Sequence, residues 1–189
     1  MAKKESTFGN MVITLFLVSL LASAALGAVY KITEKPISEA KALKKNLAIK
    51  RVVPEFDSTE KYSMLIDGDS LFIYVAIDDS DTVGFAIETW TNQGFGGTIK
   101  LLAGFKEDGS IFNIAVLEHK ETPGLGSKIS KAESNWSNQF NGKHPDTFNM
   151  SVKKDGGEVD ALTASTITSR AYCDAVLRAY NAYKKGGKQ

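Results

Sequence analysis

The chain opens with a pattern that never alternates. Residues 11–30, "MVITLFLVSLLASAALGAVY", carry no charge and no proline. Twenty such residues are about what a helix needs to cross the ~30 Å hydrocarbon layer of a bilayer. Lys3 and Lys4 precede the run and Lys31 follows it. A membrane helix is expected, with residues 1–10 as a tail before it. A cleaved signal peptide is the alternative, since "ASA" at residues 22–24 resembles a small-residue cleavage site. The apolar run continues past it to Val29, which favours an anchor.

After the span the period changes. In residues 34–54, "EKPISEAKALKKNLAIKRVVP", Ile37, Ala40, Leu43 and Leu47 recur at helical spacing. Pro36 suits a first turn and Pro54 a stop. A helix starting near Pro36 is expected, as a stalk or linker over 31–54. From there the pattern shortens to strands: "YSMLID", "LFIYVAID", "TVGFAIET", "GTIKLLAGF" and "SIFNIAVLE" are β-branched or aromatic runs. "DGDS", "DDSD", "NQGFGG" and "KEDGS" divide them as turns. "SKISKAESNWSNQF" (127–140) reads as a helix and "TFNMSVKK" (147–154) as a further strand. A last helix runs from about Ser165 to Lys184, with Tyr172, Val176, Ala179 and Tyr183 as its buried stripe, and "KKGGKQ" frays at the end. The expected fold is α+β: one amino-terminal membrane helix, then residues 55–189 as a domain of helices packed on a mainly antiparallel sheet.

Composition narrows the function. The 189 residues carry a net charge of +1, so no global field attracts nucleic acid. One cysteine, Cys173, allows no internal disulfide, and two histidines, His119 and His144, with no C-x-x-C or H-E-x-x-H motif, argue against a metal enzyme. Asp78, Asp79 and Asp81 read as a solvated turn. More basic residues follow the span than precede it, but long domains cross regardless of charge, so the count leaves sidedness open.

Three stretches carry candidate chemistry. In "DALTASTITSRAY" (160–172), six of thirteen residues bear hydroxyls, more than one helix cap uses. Thr163 or Ser165 can cap the helix. Thr166 then lies in the first turn, where unpaired N–H groups and the helix dipole favour an anion. Arg170, four residues on, can add a charged donor. A polar helix start with solvated hydroxyls is the plainer reading. In "HKETPGLGSK" (119–128), "TPGL" fits a type II turn with Gly124 at positive φ, either an ordinary connection or a surface a flat ligand can approach. In "NQGFGGTIK" (92–100), three glycines surround Phe95, as a hairpin loop or as a loop presenting an aromatic ring to a ligand. It lacks the G-K-[ST] ending of a Walker loop.

"DALTASTITS" resembles the flavinylation motif of the FMN-binding domain family, D-x-x-[ST]-G-A-T-x-T-S. Asp160, Thr163, Thr166, Thr168 and Ser169 match it, while Ala164 stands for the usual glycine and Ser165 for the usual alanine. "ETPGLGSKI" resembles the family's second motif, which lies near the isoalloxazine ring. The order of membrane helix, "YKITEKPISEAK", glycine-rich loop and threonine motif is similar along almost the whole chain. The likeness is to the G subunits of the Rnf electron-transport complex. C subunits of the Na⁺-translocating NADH:quinone oxidoreductase share the domain and are usually longer.

The resemblance implies FMN joined covalently through a phosphoester to Thr166. Thr163, Ala164, Ser165, Thr168 and Ser169 would lie around the phosphate, and Glu121, Thr122, Gly124 and Leu125 around the ring. It implies an electron-carrier subunit, not a complete enzyme, of a complex that oxidises ferredoxin, reduces NAD⁺ and pumps Na⁺ or H⁺. Its partners would be the other membrane subunits, the lipid bilayer and a flavin transferase. The FMN domain would lie on the periplasmic or extracellular side of the cytoplasmic membrane, with residues 1–10 as a cytoplasmic amino terminus. The alternatives are the quinone-reductase C subunit, a stand-alone tethered redox sensor or reductase, and an anchored binding protein without flavin.

Overall fold

The computed structural model describes residues 7–66 and 68–186. The tail lysines Lys3 and Lys4, Asp67 of the "DGDS" turn and the last three residues of "KKGGKQ" lie outside the described residues. Two compact units divide the chain: one ends at Leu43 and the other begins at Lys44.

Helix α1, Phe8–Val52, is a single 45-residue helix. The helix expected to start near Pro36 does not start there: Pro36 lies inside this one. It forgoes one ladder bond there, while Thr33 and Ser38 return their hydroxyls to the carbonyls of Val29 and Lys35 at 2.8 and 2.9 Å. The helix is long and apolar enough to cross a membrane, and none of its apolar window is buried in the chain.

The second unit begins with the last turns of α1. Five strands follow: β1 (Ser58–Ile66), β2 (Asp69–Asp78), β3 (Asp81–Gly94), β4 (Gly97–Phe105) and β5 (Ile111–Glu118). They form one antiparallel meander in the order β1-β2-β3-β4-β5. The five strand-like runs of the sequence all pair. Alternation sets the faces. Leu71, Ile73, Phe85, Ile87, Ile99, Leu101, Ala103 and Phe105 point to one side, against helix α2 (Thr166–Gly186). Tyr172, Val176, Ala179 and Tyr183 are the stripe of α2 that meets them. Thr89 and Thr91 donate from β3 to the Ala175 carbonyl (3.1 Å) and the Asp174 carboxylate (2.8 Å) of the same helix.

The opposite face, Tyr74, Ala76, Ala86 and Leu102, is covered by Ala48, Ile49, Val52 and Val53. Gly104 makes this possible, since a Cβ there would lie 1.6 Å from the Val52 carbonyl oxygen. Lys45 adds a half-buried ion pair to Glu88 at 3.3 Å.

Between β5 and α2 the chain departs from expectation. Residues 127–140 are not a helix but 3₁₀ turns, Gly126–Ile129 and Trp136–Phe140, joined by bends. Ser134 Oγ donates to the Lys128 carbonyl and accepts from the Trp136 amide. Such side-chain bonds compete with a helical ladder. Residues 147–154 form no strand, only an isolated bridge between Val152 and Val159 and a 3₁₀ turn at Lys153–Asp155.

Candidate functional site

One cleft of about 370 Å³ collects all three sequence motifs. Its walls are Phe95 from the β3–β4 turn, Glu121, Thr122, Leu125 and Gly126 from the segment after β5, and residues 164–168 at the start of α2. Of the residues expected around a ligand, Glu121, Thr122, Leu125, Ala164, Ser165, Thr166 and Thr168 line it. Gly124, Thr163 and Ser169 do not. Ile167 was missed, and Gly126, which with Gly124 lets a flat ligand approach the turn, was not counted among the contacts. Gly126 had a readable signal, the second glycine of "PGLG".

The helix start supplies the anion-binding end. Thr166 is the first residue of α2 and is half-buried at the cleft. Among the described residues, the amides of Thr166, Ile167 and Thr168 have no protein acceptor, as the first turn of a helix dictates. No hydroxyl of Thr163 or Ser165 caps them among the described residues. Ser169 does the organising instead, from inside the helix. Its Oγ accepts from the Leu162 amide at 2.9 Å and donates to the Ser165 carbonyl at 3.0 Å. This bends residues 162–165 into the helix and holds Ala164 at φ 60°. A left-handed residue at this position explains why glycine is usual there in the motif.

Arg170 does not join the site. Its guanidinium grips Asp155 with two 2.7 Å bonds, and these hydrogen bonds hold the Asp155 carboxyl below its ordinary range.

The turn at 122–125 is as expected. The Leu125 amide donates to the Thr122 carbonyl at 3.2 Å, with Gly124 at φ 73°. Ser127 Oγ accepts from the Gly124 amide at 2.9 Å and bonds Glu133. Glu121, just before the turn, is 5% exposed. One carboxylate oxygen accepts from the Gly96 amide at 3.0 Å, the other from Thr168 Oγ1 at 2.5 Å.

The rim is apolar: Phe95, Leu125 and Ile167 are 70%, 43% and 50% exposed. Small-molecule sites have volumes of about 300–1,000 Å³, with apolar walls and a few convergent polar groups. An aromatic ring system carrying a phosphate fits these walls: open amides and a hydroxyl at the helix start, apolar side chains along the rim. Among the described residues no cluster of His, Cys, Asp or Glu is placed to hold a metal ion.

Known proteins resemble this chain in sequence. A family model described as the FMN-binding domain matches residues 94–181, from the β3–β4 turn into α2. The chain is 32% identical to the G subunit of the ion-translocating oxidoreductase complex of Shewanella piezotolerans, over 97% of this chain and 93% of that protein. It is 36% identical to the protein of the same name in Yersinia pestis, over 88% and 86%. For the one in Haemophilus influenzae strain PittEE the identity is 34%, over 88% and 85%.

Proposed function

The chain belongs to the family of ion-translocating oxidoreductase complex G subunits, and on that premise we propose that it is a membrane-anchored electron carrier with FMN esterified to Thr166. The complex is of the Rnf type, passing electrons between ferredoxin and NAD⁺ while moving an ion. Residues 11–30 cross the cytoplasmic membrane, residues 31–43 continue the helix as a stalk, and the domain that begins at Lys44 stands on the periplasmic or extracellular face. Other membrane subunits are its partners, and a flavin transferase matures it.

The observation that carries this reading is the position of Thr166. It offers a hydroxyl at a helix start with open amides, on the cleft that Glu121, Thr122, Leu125 and Phe95 also line. FMN would supply the redox chemistry, and the protein its position and surroundings. The amides of residues 166–168 receive the phosphate charge. Thr122, Leu125, Phe95, Ile167 and Glu121 line the part of the cleft that would take the ring. Covalent attachment suits a compartment where a dissociated flavin is not replaced. A quinone-reductase C subunit and a stand-alone tethered reductase are the other readings. The 80–93% coverage of G subunits favours the Rnf-type subunit, and neighbouring genes for Rnf-type subunits would separate it from a stand-alone protein.

The test is Thr166→Val with a flavin transferase co-expressed. Valine keeps the shape and removes the oxygen. Wild type should gain the mass of FMN less one water and keep yellow fluorescence when denatured; the variant should show neither. Flavin retained on folded Thr166→Val, or mapped to Thr163 or Thr168, overturns the assignment.

A further inference from the structure

The Glu121 carboxyl is buried at 5% exposure in a cleft whose other walls are neutral. A buried carboxylate is costly unless its oxygens are paired, and both of these are. Its two donors come from different elements: the Gly96 amide at the tip of the β3–β4 turn and the Thr168 hydroxyl in the first turn of α2.

The packing around it is shaped for this one group. A Cβ on Gly94 would sit 2.7 Å from Glu121 Oε1, and one on Gly126 would sit 2.6 Å from Oε2 and 2.8 Å from Thr168 Oγ1. A Cβ on Gly96 would meet the Lys120 carbonyl oxygen at 1.9 Å, so the turn lies directly on the backbone beside Glu121. Three glycines thus leave room for the carboxyl and for the turn that it holds. The residue carried by that turn is Phe95, 70% exposed on the cleft wall.

We propose that Glu121 is a positioning residue that latches the turn at residues 94–97 to the start of α2, and so sets Phe95 as a fixed wall of the flavin cleft. The latch is a property of the chain itself. Its effect on the flavin rests on the reading of the cleft given above. Without the carboxyl, the Gly96 amide loses its acceptor and Thr168 keeps a buried hydroxyl with no acceptor. The turn then gains freedom while Thr166 remains available for attachment.

Two measurements on the full-length protein keep the two halves apart. The first is hydrogen exchange at residues 94–97 in protein expressed without flavin transferase. Glu121→Ala should speed exchange of the Gly96 amide by about tenfold or more. Glu121→Gln keeps an acceptor oxygen and should restore most of the protection. Thr168→Val leaves the carboxyl unanchored and should give an intermediate rate, so it decides the matter if Glu121→Ala does not fold. Wild-type exchange in a folded Glu121→Ala or Thr168→Val protein overturns the latch, and so does a Glu121→Gln rate equal to that of Glu121→Ala. The second is the fluorescence yield and midpoint potential of the flavinylated proteins. Both should move in Glu121→Ala with FMN still on Thr166, and return towards wild type in Glu121→Gln. Faster exchange with an unchanged flavin signal overturns the link to the flavin. A wild type that takes up no flavin overturns the functional reading and leaves the exchange result standing.

Discussion

Thr168 donates its hydroxyl hydrogen to Glu121 across 2.5 Å, although 47 residues separate the two along the chain. The bond joins the "ETPGLG" segment to the threonine motif, and Gly96 attaches the glycine turn to the same carboxyl. Three motifs that are separate in sequence therefore share one buried acceptor. Of the hydroxyls crowded at the start of α2, Thr168 serves this junction and Ser169 organises the helix start. Thr166 is left facing the cleft.

Ala164 holds φ 60° with a side chain that disfavours it. The left-handed region costs an ordinary L-residue about 1–2 kcal/mol, and glycine escapes that cost while gaining unfolded-state entropy. Ala164→Gly should stabilise the protein by about 0.5–1 kcal/mol, read as a higher urea midpoint with an unchanged slope. A lower midpoint would mean that the alanine methyl contributes packing that outweighs the strain.

A protein beginning at Lys44 should fold, and one beginning at Glu55 should not. The second lacks Ile49, Val52 and Val53, each at most 5% exposed. It bares Tyr74, Ala76, Ala86 and Leu102 on the sheet. Burying such side chains contributes about 1.5–3 kcal/mol each, together a large part of a typical 5–15 kcal/mol domain stability. Circular dichroism and a cooperative melt would separate the two. Equal melts would show that the end of α1 is only a tether.

Pro54 invited a boundary at residue 55, because a stop signal says where a helix ends and not what its last turn touches. The strands were legible because each shows period-two alternation or a continuous apolar run between turn residues. Residues 127–140 read as a helix in sequence, yet Ser134 and its neighbours bond the local backbone instead. Residues 147–154 looked extended, but Asn149 spends its side chain on the Ser151 amide and the Gly156 carbonyl. At the cleft, the residue types at the helix start were legible from the motif and its resemblance. Which hydroxyl does what was not, since Ser169 bends the chain through contacts with Leu162 and Ser165. Arg170 looked free for a phosphate because Asp155, fifteen residues earlier, gives no local sign of meeting it.

Cys173 should be silent to thiol reagents in the native protein. Burial pushes its thiol up to about 12, so its thiolate near pH 8 falls about a thousandfold below that of an ordinary cysteine. A cysteine introduced at the exposed position Lys154 then reports sidedness alone. In intact cells with any outer membrane opened, an impermeant maleimide should label Lys154→Cys and leave wild type unlabelled. Labelling that requires rupture of the cytoplasmic membrane would reverse the orientation.

Gly124 and Gly126 stand two residues apart and should respond differently to alanine. Gly124 has positive φ and open space around its missing Cβ, so Gly124→Ala strains only the backbone, by about 1–2 kcal/mol. It does not line the cleft, and the flavin spectrum and potential should stay close to wild type. Gly126→Ala puts a methyl 2.6 Å from Glu121 Oε2 and 2.8 Å from Thr168 Oγ1. Neither side chain can swing away easily, since each is buried and bonded to the other. Overpacking of this kind costs about 1–3 kcal/mol, and here relief means parting Glu121 from Thr168 at the cleft wall. Gly126→Ala should therefore shift both the stability and the flavin signal, with FMN still attached to Thr166. The two glycine variants should be similarly stable yet spectrally distinct. A flavin response to Gly124→Ala equal to that of Gly126→Ala would show that the turn itself, and not the Glu121–Thr168 contact, meets the ring.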